Sequence, residues 1–256
     1  YLFWLGSLGA FAVLAAFLLP RWGAEAALLL FALSPIGIRV ANSLQPEGLM
    51  LFCSVLAVYA FLRWMDDGSW RYYWTALVAI AVAILVKANA AHIGLLFAAA
   101  LLHQRGLPAL RRWRTWAFAV GALTPGILWY AHAHRFWLTY GNSLGISNEY
   151  HWIGWDSFTN PAFADGLLRA ELFEVWMPSG VVLGLVAVAW SWSHRAVRYA
   201  LFWLAAVLIY YLLAVRTTAD RWALYYHIAS VPPAAILMGA GVAAMQEKLT
   251  RRRVVA

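Results

Sequence analysis

Three short stretches carry residues able to do chemistry. RVANSLQPEGLMLF (39–52) sets Arg39, Asn42, Gln45 and Glu47 between two apolar runs, with Pro46 beside the glutamate. Pro46 suits a helix start, and a carboxylate in the first turn is favoured by the helix dipole. Glu47 is therefore either a solvated first-turn residue or a carboxylate that binds a metal or positions a reacting group. In VKANAAH (86–92), Lys87 has Asn89 and His92 in the same turn. A lysine at a helix end either snorkels to water or offers a point charge to a phosphate. RTTADRWALYYH (216–227) gathers Arg216, Asp220, Arg221, Tyr225, Tyr226 and His227. Guanidinium groups and phenols together form either an aromatic interface belt or a donor-rich site for a lipid-linked phosphate.

The elements that must position these residues are membrane helices. The chain has 256 residues, 64% of them hydrophobic and 12% charged, whereas soluble domains carry about 25% charged residues. Its 16 tryptophans and 12 tyrosines suit interfacial belts. Apolar runs at 1–19, 24–38, 48–64, 72–86, 92–103, 116–131, 178–192, 199–215 and 228–245 give about nine spans, several shorter than the ~20 residues that cross hydrocarbon. Period-two alternation is absent, so the expected fold is an all-α polytopic bundle in one domain, 1–256. The fourth and fifth runs read as a short hairpin turning at VKANAAH, and residues from about His132 to Met177 as a long aromatic loop of roughly 45 residues.

The formal net charge of +8 is the Lys/Arg excess of cytoplasmic loops, and no nucleic-acid partner is expected. The basic residues concentrate in alternate connections: Arg21, 63–71, 105–114, 195–198 and 248–253. The others hold Glu47, Glu149, Asp156, Asp165, Glu171, Glu174 and Asp220. The positive-inside rule then puts Glu47, Lys87 and the tyrosine pair on the extracytoplasmic face of the cell membrane, with the C-terminus in the cytoplasm. The single cysteine, Cys53, excludes a disulfide framework. P-loop, Rossmann, H-E-x-x-H and Ser-His-Asp patterns are absent. His132, His134 and His151 are loop histidines with some capacity for metal.

Five stretches taken in order resemble the integral-membrane (C-type) glycosyltransferases of the dolichyl-phosphate-mannose–protein mannosyltransferase and aminoarabinose transferase kind. SPIGIRVANSLQPEGLMLFCSVLAVYAFLRW looks like the family's acidic residue ahead of a long apolar helix, with Glu47 in that place. ALVAIAVAILVKANAAHIGLLFAAALLHQRG looks like its hairpin with a lysine at the turn, matched by Lys87. WYAHAHRFWLTYGNSLG and NPAFADGLLRAELFEVWMPSGVVLGLVAVAW resemble the two ends of its outer loop, and RWALYYHIASVPPAAILMGAG its late tyrosine-pair segment. The family pattern often has a histidine two residues before that pair; here Ala223 stands there and His227 follows instead.

The resemblance implies transfer of a hexose or pentose from a polyprenyl-phosphate donor in the membrane lipid to an unspecified acceptor. The step is displacement at the anomeric carbon, with a carboxylate taking the acceptor proton and cations or phenols stabilising the departing phosphate. It casts Glu47 as a supporting catalytic carboxylate, and Arg39, Lys87, His92, Tyr140, Asn142, Arg221, Tyr225, Tyr226 and His227 as substrate contacts. The family's main carboxylate sits in the first outer loop. The chain opens inside an apolar run without a methionine, so it reads as a fragment that starts downstream of that loop and is inactive alone. A divalent metal is an open requirement, since diphosphate donors usually need one and monophosphates need not. Two alternatives stand beside this: a lipid or solute transporter or flippase, and a non-catalytic scaffold related to the transferases. A transporter predicts ionisable residues at mid-helix, and here the charges gather at helix ends.

Overall fold

The computed structural model describes residues 2–141, 154, 158–219 and 223–255. Among them every regular element is helical: α1 Leu2–Leu18, α2 Arg21–Ala32, α3 Pro35–Ala41, α4 Glu47–Asp67, α5 Trp70–Val86, α6 Ile93–Arg105, α7 Trp113–Tyr140, α8 Pro161–Ala170, α9 Met177–Ser191, α10 Arg195–Leu213 and α11 Val231–Val255. Tight 3₁₀ turns cover Ala88–His92, Leu107–Arg111 and Leu224–Ser230, a single helical turn covers Val215–Thr218, and a π-helical turn, Glu171–Trp176, joins α8 to α9. Each apolar run of the sequence thus contributes a helix. Among the described residues four helical stretches are long and apolar enough to cross a membrane, or five if the bent α2–α3 pair is one broken span.

Two boundaries differ from expectation, each for a local reason. The run 24–38 is two helices bent by 57°. Pro35 cannot donate to the preceding turn, and the Ser34 hydroxyl accepts from Gly37 N at 3.2 Å to cap a fresh start. The expected long loop from His132 is helical over much of its length. α7 runs on to Tyr140 and stops at Gly141, whose φ of +67° costs a residue without Cβ little. Residues 161–176 are helical as well.

The core is built around α4 and the first half of α11. α4 packs against α1 and α5, while α11 packs against α2 and α9. Phe61 of α4 stacks on Phe97 at 4.0 Å and meets Phe118 at 5.4 Å, as aromatic pairs prefer. The α2–α11 contact depends on small residues, the usual basis of helix association in lipid. A Cβ at Gly239 would lie 2.7 Å from Ala27 Cβ and press on the Gly23 carbonyl. Gly239→Leu should therefore lower the thermal midpoint in detergent by about 5 °C or more, measured by scanning fluorimetry, with no change in the residues that bind ligand.

The two ends of the bundle differ in charge. At one, Arg195 pairs with Asp66 at 2.9 Å, Arg63 with Asp67 at 2.8 Å, and Arg105 donates to Met65 O at 2.9 Å. The other gathers Arg39, Glu47, Lys87, Glu171 and Glu174.

Candidate functional site

α4 opens at Glu47 directly after Pro46, and α5 closes at Val86 just before Lys87, whose backbone is extended (φ −150°, ψ 124°). A carboxylate at a helix start and an ammonium at a helix end each complement their own helix dipole. α4 and α5 run side by side, so the two charges meet: Lys87 Nζ donates to Glu47 Oε1. Glu47 is 1% exposed and the Lys87 side chain 22%, which makes this a largely buried ion pair. Such a pair is stable only when both partners are present, because either charge alone is costly to bury.

The tyrosine pair completes the arrangement. Lys87 Nζ lies 4.5 Å from the ring centroids of both Tyr225 and Tyr226, and the two rings are 4.5 Å apart. A cation held over two π faces gains attraction from each. Beyond Lys87, Ala88 N donates to the Tyr130 hydroxyl at 3.0 Å, bringing α7 to the turn. Asn89 Nδ2 donates to the Tyr210 hydroxyl at 3.2 Å, and the His92 ring stacks on Tyr210 at 5.6 Å. His92 Nδ1 sits 2.6 Å from Asn89 O, so this nitrogen donates and Nε2 is left as an acceptor. Glu47 Oε2, Asn89 Oδ1 and His92 Nε2 are buried polar atoms with no hydrogen-bond partner among the described residues. All three are acceptors, suited to the hydroxyl donors of a polar ligand.

The other expected contacts scatter. Arg39 is 60% exposed and pairs with Glu174 of the π turn at 2.9 Å. Tyr140, 69% exposed, places its ring 4.7 Å from Phe136 of its own helix. His227 is fully buried and both its ring nitrogens are taken up elsewhere: Nδ1 lies 2.7 Å from Glu171 Oε1 and Nε2 2.7 Å from Thr218 O. Asn142 and Arg221 lie outside the described residues, as does His151. Among the described residues no group of three or more His, Cys, Asp or Glu side chains is placed to hold a metal.

Three participants escaped the sequence. Tyr130 and Tyr210 bond the lysine turn, and Glu171 holds His227. Tyr210 and Tyr211 form a tyrosine pair inside an apolar run, and a buried phenol needs a partner, which is the signal that marks them. Nothing local singles out Glu171 among the acids of its segment.

No curated protein and no solved structure matches the chain. The family model for dolichyl-phosphate-mannose-protein mannosyltransferase matches residues 3–130. That segment contains Glu47, the lysine hairpin and Tyr130, and spans half of the chain; the protein belongs to the dolichyl-phosphate-mannose-protein mannosyltransferase family, one of membrane glycosyltransferases.

Proposed function

We propose that the protein transfers a sugar from a polyprenyl-phosphate donor to an acceptor on the extracytoplasmic side of the cell membrane. The observation that carries this is Lys87, whose ammonium is fixed by Glu47 and two tyrosine rings yet remains partly exposed. An ammonium has three donors, of which Glu47 takes one. In this reading the others, with the Tyr225 and Tyr226 hydroxyls, receive the departing lipid phosphate, whose negative charge grows as the sugar–phosphate bond breaks. Glu47 Oε2, Asn89 Oδ1 and His92 Nε2 are the buried acceptors left without a partner around the lysine turn, suited to sugar hydroxyls. Glu47 is a supporting carboxylate in this scheme, since its Oε1 is committed to Lys87. This reading takes the chain as a polytopic bundle of about nine spans, the shorter helices included, with its basic end in the cytoplasm.

Farnesyl phosphate, a short polyprenyl monophosphate, tests the donor class without knowledge of the sugar. Titrated calorimetrically into the detergent-solubilised protein, it should bind at least tenfold more tightly than farnesol, a difference of one charge-assisted contact or more. Equal affinity for the alcohol and the phosphate would remove Lys87 from phosphate recognition.

A further inference from the structure

Glu171 sits at the first position of the π turn between α8 and α9. π turns of this kind are often found at functional positions. The turn ends at Met177, with φ +54° and ψ 153°, a conformation that a residue with a Cβ adopts only when its surroundings enforce it. The start of the same turn is held by a polar cluster around one carboxylate. Glu171 Oε1 accepts from the Tyr211 hydroxyl at 2.7 Å and from Ser230 Oγ at 2.9 Å, and faces His227 Nδ1 at 2.7 Å. Oε2 accepts from Trp176 Nε1 at 3.1 Å.

The far side of His227 is equally committed. Nε2 faces the Thr218 carbonyl and donates to it, so one proton lies between Nδ1 and the carboxylate. His227 and Ser230 are three residues apart on the 3₁₀ turn Leu224–Ser230 and share a face of it, because that helix repeats every three residues. Tyr225 and Tyr226 leave the same turn toward Lys87. A second tie, Arg39 to Glu174, fastens α3 to the π turn, and α3 itself packs on the 3₁₀ turn.

We propose that Glu171 and His227 are positioning residues: their buried hydrogen-bonded pair clasps the π turn to the 3₁₀ turn and so sets Tyr225 and Tyr226 over Lys87. The pair touches no substrate and acts through the two tyrosines. This rests on the assignment of Lys87 and the tyrosines to the donor phosphate.

Calorimetry with farnesyl phosphate separates the possibilities, because it returns the fraction of competent protein and the Kd independently. Glu171→Gln and His227→Gln should each raise Kd about tenfold, a coupling typical of residues in one network, with the bound stoichiometry kept. In a Tyr225→Ala/Tyr226→Ala background, Glu171→Gln should change Kd by less than about twofold, since the groups it positions are gone. A purely structural role lowers the stoichiometry and leaves Kd alone, and that result overturns the proposal. So does a full Glu171→Gln effect in the double-alanine background. Lys87→Ala is run alongside: if it binds farnesyl phosphate like the unaltered protein, the phosphate assignment fails. If it binds weakly while both clasp variants bind normally, the clasp alone fails. Should neither charge-altering variant insert, Ser230→Ala and Tyr211→Phe each remove one hydroxyl and no charge. They should raise Kd about threefold, and unchanged Kd in both overturns the clasp.

Discussion

Lys87→Ala should weaken farnesyl phosphate binding on the order of 10- to 100-fold and lower sugar transfer by the intact protein in proportion. Hydrogen bonds between charged partners contribute about 1.5–3 kcal/mol each, and Lys87 has two donors beyond the one that Glu47 occupies. The loss is in donor binding and in stabilisation of the leaving phosphate together, so both KM and kcat move. The variant also strands Glu47, 1% exposed, as an uncompensated carboxylate. Lys87→Arg isolates geometry from charge. A guanidinium keeps the cation and stacks on the tyrosine faces, but its planar fork does not fit a space shaped for a point charge, and binding should fall between the two. Calorimetry and a transfer assay with several polyprenyl-phosphate sugars provide the measurement. Unchanged Kd and unchanged transfer in inserted Lys87→Ala protein would leave the lysine with no part in the reaction.

The centre of this site was legible because its members advertise themselves. Glu47 and Lys87 are ionisable residues at the ends of apolar runs, where burial demands a partner, and helix dipoles suit each to its own end. The hairpin at Lys87 was legible for the same reason, since two runs too short to cross alone flank it. The periphery was not. Arg39 is eight positions from Glu47 in the chain, yet it pairs with Glu174, 135 residues away. His227 follows the tyrosine pair directly but turns to Glu171, 56 residues distant. On a 3₁₀ turn successive side chains point in different directions, so adjacency in sequence placed Tyr226 and His227 on opposite duties. The length of α7 was missed because histidine, tryptophan and tyrosine around 132–140 read as loop polarity. Their helix propensities are only modestly unfavourable, and between His132 and Gly141 no proline or glycine intervenes. The bend at Ser34–Pro35 was visible in the proline but was hidden inside an otherwise continuous apolar run.

Replacing the ion pair as a unit, Glu47→Leu/Lys87→Met, should restore stability that either single change removes and still weaken farnesyl phosphate binding on the order of 10- to 100-fold. Glu47→Gln leaves Lys87 among aromatic rings without its anion, and Lys87→Ala leaves the reverse. Breaking a buried pair from one side costs about 3–5 kcal/mol, which for a chain of this size is a fall of roughly 10 °C in thermal midpoint. Removing both charges and filling the space with apolar side chains is often neutral or stabilising, so the double variant should melt within about 3 °C of the unaltered protein. Scanning fluorimetry reads that recovery. A pair kept only to fasten α4 to α5 would then recover its ligand behaviour along with its stability, because Tyr225 and Tyr226 are unaltered. A pair that binds the donor phosphate cannot, because methionine presents no cation. Glu47→Gln by itself should divide the two roles differently: Lys87 still reaches phosphate, while transfer falls by about 10²-fold or more for want of the carboxylate. Recovery of both stability and farnesyl phosphate affinity in the double variant would reduce Glu47 and Lys87 to a structural cross-link between two membrane helices.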